Sequence, residues 1–578
     1  MQHNQTVRRR LQNGKGYLYL APSLIILLVF TIYPLIKAFM MSFCEDYSII
    51  NGSFKGVNLQ NYQDLFADDV FLKALSNTSI YVVFVVPVSI LLSLVIAVLI
   101  HNAARGKAIF QTLYFLPYVT SVIAIGIVWS WIFNSNYGLL NYFLSLFGID
   151  AIPWLNDPQY ALAALIIFSI WKSLAFNILI FLSGLSSISQ DIYQAARIDS
   201  TPPDAGVLQD HGAPAAAHHR LRLPHGADQR LQGLQRGVLP VPEQGGARQQ
   251  CHYGGLLHLR QILQQRRLRR GFGGGRGAVH HHSGADNGPE IHCQGKGGGL
   301  MKSRKPSAVA ARVAQYAVLC LGAFFTLLPF LWMISSSLKT PAEIVRIPPV
   351  MIPETAQFSN YAEAWAAAPF GRYLINTVIV TILTTAGVLV TSVLSAFAFS
   401  RLKFPGKDLV FSLFMATLMI PGEMLIITNF MTITKLKWID TYQAMVIPWI
   451  SNVFYIYLLT QFFMQVPDTL YLAAKVDKCS DLKFMLRIMV PMNKSAITTI
   501  AILNIIGSWN SFLWPLLVTN SQEMRVLSTG LIRFQTEAGT SYELIMAASC
   551  ILVLPIVIIF LFLRKYVLEG VAFNGVKG

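Results

Sequence analysis

Tyr373 to Ala398 reads YLINTVIVTILTTAGVLVTSVLSAFA, 26 residues without one charge. A bilayer's hydrocarbon core is crossed by roughly 20 apolar residues in helical form, so this run reads as a membrane span. Working outward, similar runs recur at 312–337, 408–432, 443–465, 497–518 and 544–564, and upstream at 17–42, 77–100, 108–133 and 160–185. The chain is 54% apolar and only 13% charged over 578 residues, too little charge for the surface of a soluble multidomain protein. The expectation is an all-α polytopic membrane protein of about ten transmembrane helices, four before residue 200 and six after residue 300.

The formal charge of +17 suggests nucleic acid until its placement is read. Arg8, Arg9 and Arg10 precede the first span, Arg105 and Lys107 follow the second, and Lys302, Arg304 and Lys305 precede the later set. Arg401, Lys403 and Lys407 separate two later spans, and Arg564 and Lys565 follow the last. These clusters fall on alternate sides, and the positive-inside rule puts the N- and C-termini in the cytoplasm. The six cysteines show neither metal nor disulfide spacing, and the first apolar run is long enough to be a span rather than a cleaved signal.

Residues 201–300 break this pattern. They hold ten of the twelve histidines and twenty of the forty glycines, and no apolar period. Three functional readings compete there: His280, His281 and His282 as metal ligands, the run Arg266, Arg267, Arg269 and Arg270 as an RGG-like RNA segment, or a flexible linker. The alternative is a disordered or unselected segment made by a frameshift. His codons are CAY, and one nucleotide later they read as Ile, Met or Thr. With suitable codons, Asp204 to Ala213 gives MRVFFKITAP and Ala227 to Val238 gives LTNAFKAFNEVF. The ATG of Met301 followed by the A of Lys302 contains TGA in that frame, a stop overlapping a start. A single frameshift near residues 200–204 is the expectation. The chain then divides into a truncated half at 1–200, the altered segment at 201–300 and a complete half at 301–578.

Each half carries a polar, helix-patterned stretch after its fourth span. The first reads Ile192-Tyr193-Gln194-Ala195-Ala196-Arg197-Ile198-Asp199, and the second Leu470-Tyr471-Leu472-Ala473-Ala474-Lys475-Val476-Asp477. Paired alanines keep one helix face small, so another protein can approach the backbone closely. Pro467 and Asp468 supply a helix start, with Asp468 expected to cap the first turn. A second amphipathic run, Asp481 to Val490, is expected to end at Pro491, making a helix–turn–helix over about 467–491 outside the membrane.

These stretches resemble the EAA loop of binding-protein-dependent ABC importer permeases, the family of the maltose and glycerol-3-phosphate permeases. The resemblance extends to Tyr33-Pro34, Asn61-Tyr62 and Phe115-Leu116-Pro117 in the first half. In the second it includes Ser336-Ser337-Leu338-Lys339, Asn360-Tyr361, Asn376-Thr377, Met419 to Glu423 and Gly507 to Asn510. It implies that Ala473, Ala474, Asp477, Lys478, Ile488 and Pro491 form a contact with a separate ATPase, with Ala195, Ala196 and Asp199 the surviving part of the first-half contact. The family has glycine where this chain has Lys478 and Ser200, at a turn favouring a left-handed backbone. A non-glycine there costs roughly 1 kcal/mol. The family's glutamate is replaced by Leu472 and Gln194.

Pro421, Gly422 and Glu423 are helix interrupters that either line a translocation path or serve structure alone. Glu423 is the notable ionisable residue near a span centre. Trp509 and Asn510 either line the route or pack a helix interface. No GxxxxGK[ST] loop occurs, so ATP is expected on partner subunits and no catalytic residue, metal or cofactor on this chain. The resemblance implies an ATPase dimer on the cytoplasmic side, an extracytoplasmic solute-binding protein, a bacterial plasma membrane location and a carbohydrate or glycerol-phosphate solute. Nucleic acid is not an expected partner. Two readings compete: an inert product of the fused, frameshifted pair, and a secondary transporter, which needs intramembrane ionisable relays that these spans nearly lack.

Overall fold

The computed structural model describes residues 2–48, 51–186, 188, 306–536 and 539–571. The described residues up to 188 and from 311 onward belong to one compact unit. The first half contains α1 (Gly14–Met41), α2 (Asp69–Asn102), α3 (Lys107–Val119), α4 (Val122–Ile132) and α5 (Pro158–Ser186). The second contains α6 (Pro306–Ser336), α7 (Phe370–Arg401), α8 (Lys407–Thr417), α9 (Gly422–Lys435) and α10 (Val453–Gln465). It continues with α11 (Asp468–Val476), α12 (Asp481–Met492), α13 (Lys494–Trp509) and α14 (Tyr542–Val571). Among the described residues the strands are two short hairpins. Among the described residues six helices are long and apolar enough to span alone, and bent pairs raise the number to as many as ten. The expected all-α polytopic architecture holds.

Four expected spans are not straight, among them the run at 443–465, which turns by 44° between Tyr442–Trp449 and Val453–Gln465. The run at 108–133 turns by 97° between α3 and α4, and the run at 408–432 turns by 94° between α8 and α9. The second break falls at Pro421, which has no N–H for the helix ladder. In the first, Pro117 stays inside α3 and the chain leaves the helix at Thr120, where the backbone is extended. The run at 497–518 stops at Trp509 and restarts at Leu513–Val518.

The halves repeat one another in detail. Asn61 donates from Nδ2 to the Ser42 and Cys44 carbonyls at 3.1 and 2.9 Å, and Asn360 donates likewise to Ser337 and Lys339 at 3.0 and 2.9 Å. The Ser42–Tyr62 hydroxyl pair at 2.7 Å is matched by Ser337–Tyr361 at 2.8 Å. Gly106 and Gly406 take positive φ, 76° and 72°, at the N-caps of α3 and α8. Glycine is suited to that backbone because it lacks Cβ.

Each half lends its first helix to the other. Ser23 of α1 donates to the Thr391 carbonyl at 3.3 Å and shares a hydrogen bond with Ser395, 2.7 Å away, both on α7. In return, Gln315 of α6 donates to the Leu99 carbonyl at 2.7 Å, and Tyr114 donates to the Leu319 carbonyl at 3.0 Å. The approach needs Gly322, where a Cβ would stand 2.2 Å from the Tyr114 hydroxyl oxygen. Buried aromatics from both halves fill the seam, with the Trp131 and Trp332 rings stacked at 4.1 Å. Such pairs add about 0.5–1.5 kcal/mol beyond their buried area.

Candidate functional site: the helix pair outside the bundle and the broken helices

The site at one end of the second half is built on α7. Arg401 ends that helix, and its guanidinium side chain is 3% exposed. It donates to the Phe463 carbonyl at 2.8 Å and to the Val466 carbonyl, both at the C-terminus of α10, and forms an ion pair with Asp468. The unpaired carbonyls of a helix end suit a cation, so this one side chain ends α10 and fixes the first residue of α11. Asp468 therefore does not cap α11. Pro467 occupies the N-cap without a side-chain bond, and the Asp468 carboxylate turns to Arg401 instead.

Across the turn, Asp481 ties α11 to α12. Its Oδ1 accepts from the Tyr471 hydroxyl at 2.7 Å and from Lys475 Nζ at 2.5 Å. Its Oδ2 lies 3.6 Å from Lys15 Nζ of the first half. Burial raises the Asp481 pKa, but these hydrogen bonds and the charges of Lys475 and Lys15 outweigh it and hold the carboxyl below its ordinary value. Ser480 caps α12 by accepting from the Lys483 N–H.

Lys478 has φ 56°, the left-handed backbone the sequence leads one to expect there. Its N–H bonds the Lys475 carbonyl, and the Cys479 N–H bonds that of Ala474, closing α11. The expected contact residues divide. Ala473, Asp477, Lys478 and Pro491 are exposed, Ile488 is half-buried, and Ala474 is buried against the core with Phe484 and Met485. The alanine pair thus does not share one face. α12 continues through Pro491 to Met492, beyond the expected stop. Ala195, Ala196 and Asp199 lie outside the described residues.

What α11 and α12 present outward is apolar. Leu472 is 61% exposed, Val476 82%, Leu482 51% and Leu486 53%. Each pair is four residues apart and so shares a helix face. The sequence reading did not single out these four leucine and valine positions as an exposed apolar stripe, although the spacing signals one.

The break between α3 and α4 is the second feature. Lys172 of α5 donates from Nζ to the Pro117 carbonyl and, at 2.8 Å, to the Thr120 carbonyl. Asn510 donates from Nδ2 to the Val119 carbonyl at 2.7 Å. A side chain from each half thus holds carbonyls released by one broken helix, the arrangement that makes irregular backbone tolerable in a membrane. Trp509 is buried and donates to the Leu552 carbonyl at 3.2 Å, which makes it an interface residue. A cavity of about 330 Å³ lies beside the break, lined by residues including Gly126, Ser130 and Phe512. Pro421, Gly422 and Glu423 are exposed at the second break. Lys172 is an intramembrane ionisable residue that the sequence reading passed over. Among the described residues no group of His, Cys, Asp and Glu forms a metal site.

The model of the family "Binding-protein-dependent transport system inner membrane component" matches residues 388–572. The arabinooligosaccharides transport system permease protein AraQ of Halalkalibacterium halodurans is 31% identical over 259 residues, covering 44% of this chain and 93% of that protein. The sn-glycerol-3-phosphate transport system permease protein UgpE of Rhizobium meliloti is 30% identical over 264 residues, 44% of this chain and 94% of that protein. Among solved structures, a chain from a bacterial ABC transporter involved in import of the acidic polysaccharide alginate aligns with a TM-score of 0.42 at 21% identity, covering 45% of this chain and 98% of that one. With near-complete coverage of relatives at 30% identity or better, this chain belongs to the family of binding-protein-dependent transport system inner membrane components.

Proposed function

We propose that the chain is the membrane-spanning permease of an ABC importer for a carbohydrate or glycerol-phosphate solute, driven by ATPase subunits that dock on α11 and α12. One observation carries the reading: an apolar stripe of Leu472, Val476, Leu482 and Leu486 stands exposed on a helix pair held rigidly to the bundle by Arg401 and Asp481. A stripe at a helix-pair end, with Lys475, Lys478 and Lys483 around it, suits a protein groove. Burying a valine or leucine contributes about 1.5–3 kcal/mol.

In this reading the loops with Arg105, Arg401 and Lys403 face the cytoplasm with both termini, as their positive charge favours. A solute-binding protein delivers to the opposite face, in a bacterial plasma membrane. Nucleotide binding works the lever only through different affinity for the two permease states. The named relatives support the solute class: one is an arabinooligosaccharide permease and another an sn-glycerol-3-phosphate permease. The competing secondary-transporter reading gains nothing from Lys172, because its amine is committed to backbone carbonyls.

The test is co-purification with an ABC ATPase subunit of the source organism, from membranes of cells making both. Val476→Asp lowers recovery of the ATPase at least tenfold without altering the yield of the chain. Equal recovery from Val476→Asp, Leu472→Asp and the double variant contradicts the reading.

A further inference from the structure

We propose that the DNA of residues 205–300 carries, one nucleotide out of register, the two helices that complete the first half, and that an uncovered flank of α2 is the seat of the first of them and of the segment that follows it. The internal repeat locates that flank. Asn77-Thr78 on α2 corresponds to Asn376-Thr377 on α7, and the same register pairs Val82 with Thr381 and Leu92 with Thr391.

In the second half this flank is covered by α13 and by the segment between α13 and α14. Asn376 donates from Nδ2 to the Glu523 and Arg525 carbonyls at 2.7 and 2.8 Å, and the Thr377 hydroxyl accepts from the Leu527 N–H at 2.8 Å. Asn504 of α13 donates to the Thr385 hydroxyl at 2.9 Å. The first half has no such partners among the described residues. Thr377 and Thr381 are 2% and 5% exposed, whereas Thr78 is exposed and Val82 is 40% exposed; Thr391, opposite Leu92 in this register, is covered by Ser23 and the Ile450 carbonyl instead. On one other face the two helices agree: Val85, Ser89, Ser93 and Ala97 are buried as Thr384, Val388, Ser392 and Ala396 are. At Asn77 and Thr78 the missing cover is what the segment between α13 and α14 supplies to Asn376 and Thr377 in the second half.

Length and codons name the occupant. From Lys478 to Arg564 the second half uses 87 residues for the rest of the helix pair and its last two spans, and 101 residues follow Asp199 up to Leu300. The run His280-His281-His282, CAY three times, reads one nucleotide later as a run of Ile or Thr codons, residues a span accepts, where the chain as written has a polar histidine tract. The TGA overlapping the Met301 ATG ends that frame where the second half starts. The chain as written is then a fusion whose first half lacks its last two spans, and the in-frame form is two polypeptides.

The experiment sequences the locus and then compares two forms in membranes: the chain as written, and the coding region with one nucleotide restored near codons 200–204. Thr78→Cys is probed with a water-soluble maleimide, with Phe66→Cys, on an exposed side chain, as the control for insertion. Thr78→Cys labels readily in the chain as written and about tenfold more slowly in the restored pair, with Phe66→Cys unchanged. Equal Thr78→Cys labelling in both forms, or a shifted frame that yields no two stretches of about 20 apolar residues, overturns the proposal.

Discussion

Replacing Arg401 by Met separates two roles that the structure assigns to one guanidinium. Its ion-pair partner Asp468 has a side chain 81% exposed, so water solvates that carboxylate when the arginine is gone, and the pair itself contributes less than about 1 kcal/mol. The carbonyls of Phe463 and Val466 at the end of α10 are different. Each loses a hydrogen bond to a charged donor, of about 1.5–3 kcal/mol, inside a buried site. Arg401→Met is therefore expected to loosen the α10–α11 junction by about 3 kcal/mol, roughly a hundredfold in its opening equilibrium. Asp468→Asn is expected to change it by less than about 1 kcal/mol. Hydrogen exchange of the α11 amides in detergent-solubilised protein measures both. Equal acceleration in the two variants, or no acceleration in Arg401→Met, refutes the reasoning that the carbonyl bonds dominate.

Lys478→Gly relieves the positive φ of 56° and is expected to stabilise the turn by about 0.5–1 kcal/mol, read as slower exchange at α11, whereas Lys478→Val accelerates it. Asp481 has a folded pKa below its unfolded value. Its stabilisation is thus present above about pH 4 and is lost as pH falls through the folded value; an acid thermal-denaturation series should show Asp481→Asn less stable at neutral pH and flatter below pH 4. Lys172→Met leaves the Pro117 and Thr120 carbonyls without their donor. It is expected to cost about 2–3 kcal/mol, seen as a lower Tm in detergent, with Lys172→Arg recovering part of the loss.

The ten apolar stretches were legible because a span's signal is local: about 20 apolar residues need no knowledge of neighbours. The outline of the helix pair was legible for the same reason, and Lys478 takes the backbone that its place after Asp477 demands. What escaped depends on distant partners. Asp468 has the sequence of a cap, yet Arg401, 67 residues away, claims its carboxylate. Ala473 and Ala474 look alike until the Phe484 side of the core buries one of them. The bend at Thr120 leaves no proline at the break itself, and it is held by Lys172 and Asn510, each far along the chain. The exchange of first helices between halves has no local signature, since Ser23 and Gly322 acquire meaning only against Ser395 and Tyr114.

The central claim is that α11 and α12 are the seat of an ATPase subunit, and photo-cross-linking tests it most directly. A benzophenone amino acid replaces Val476, 82% exposed on α11, or Leu383, 47% exposed on the membrane-spanning α7, in cells that also make the ATPase. The account predicts an adduct of chain and ATPase from position 476, changed in yield by added nucleotide, and none from position 383. No ATPase adduct from position 476 in chain inserted at normal yield, or an equal one from position 383, contradicts it.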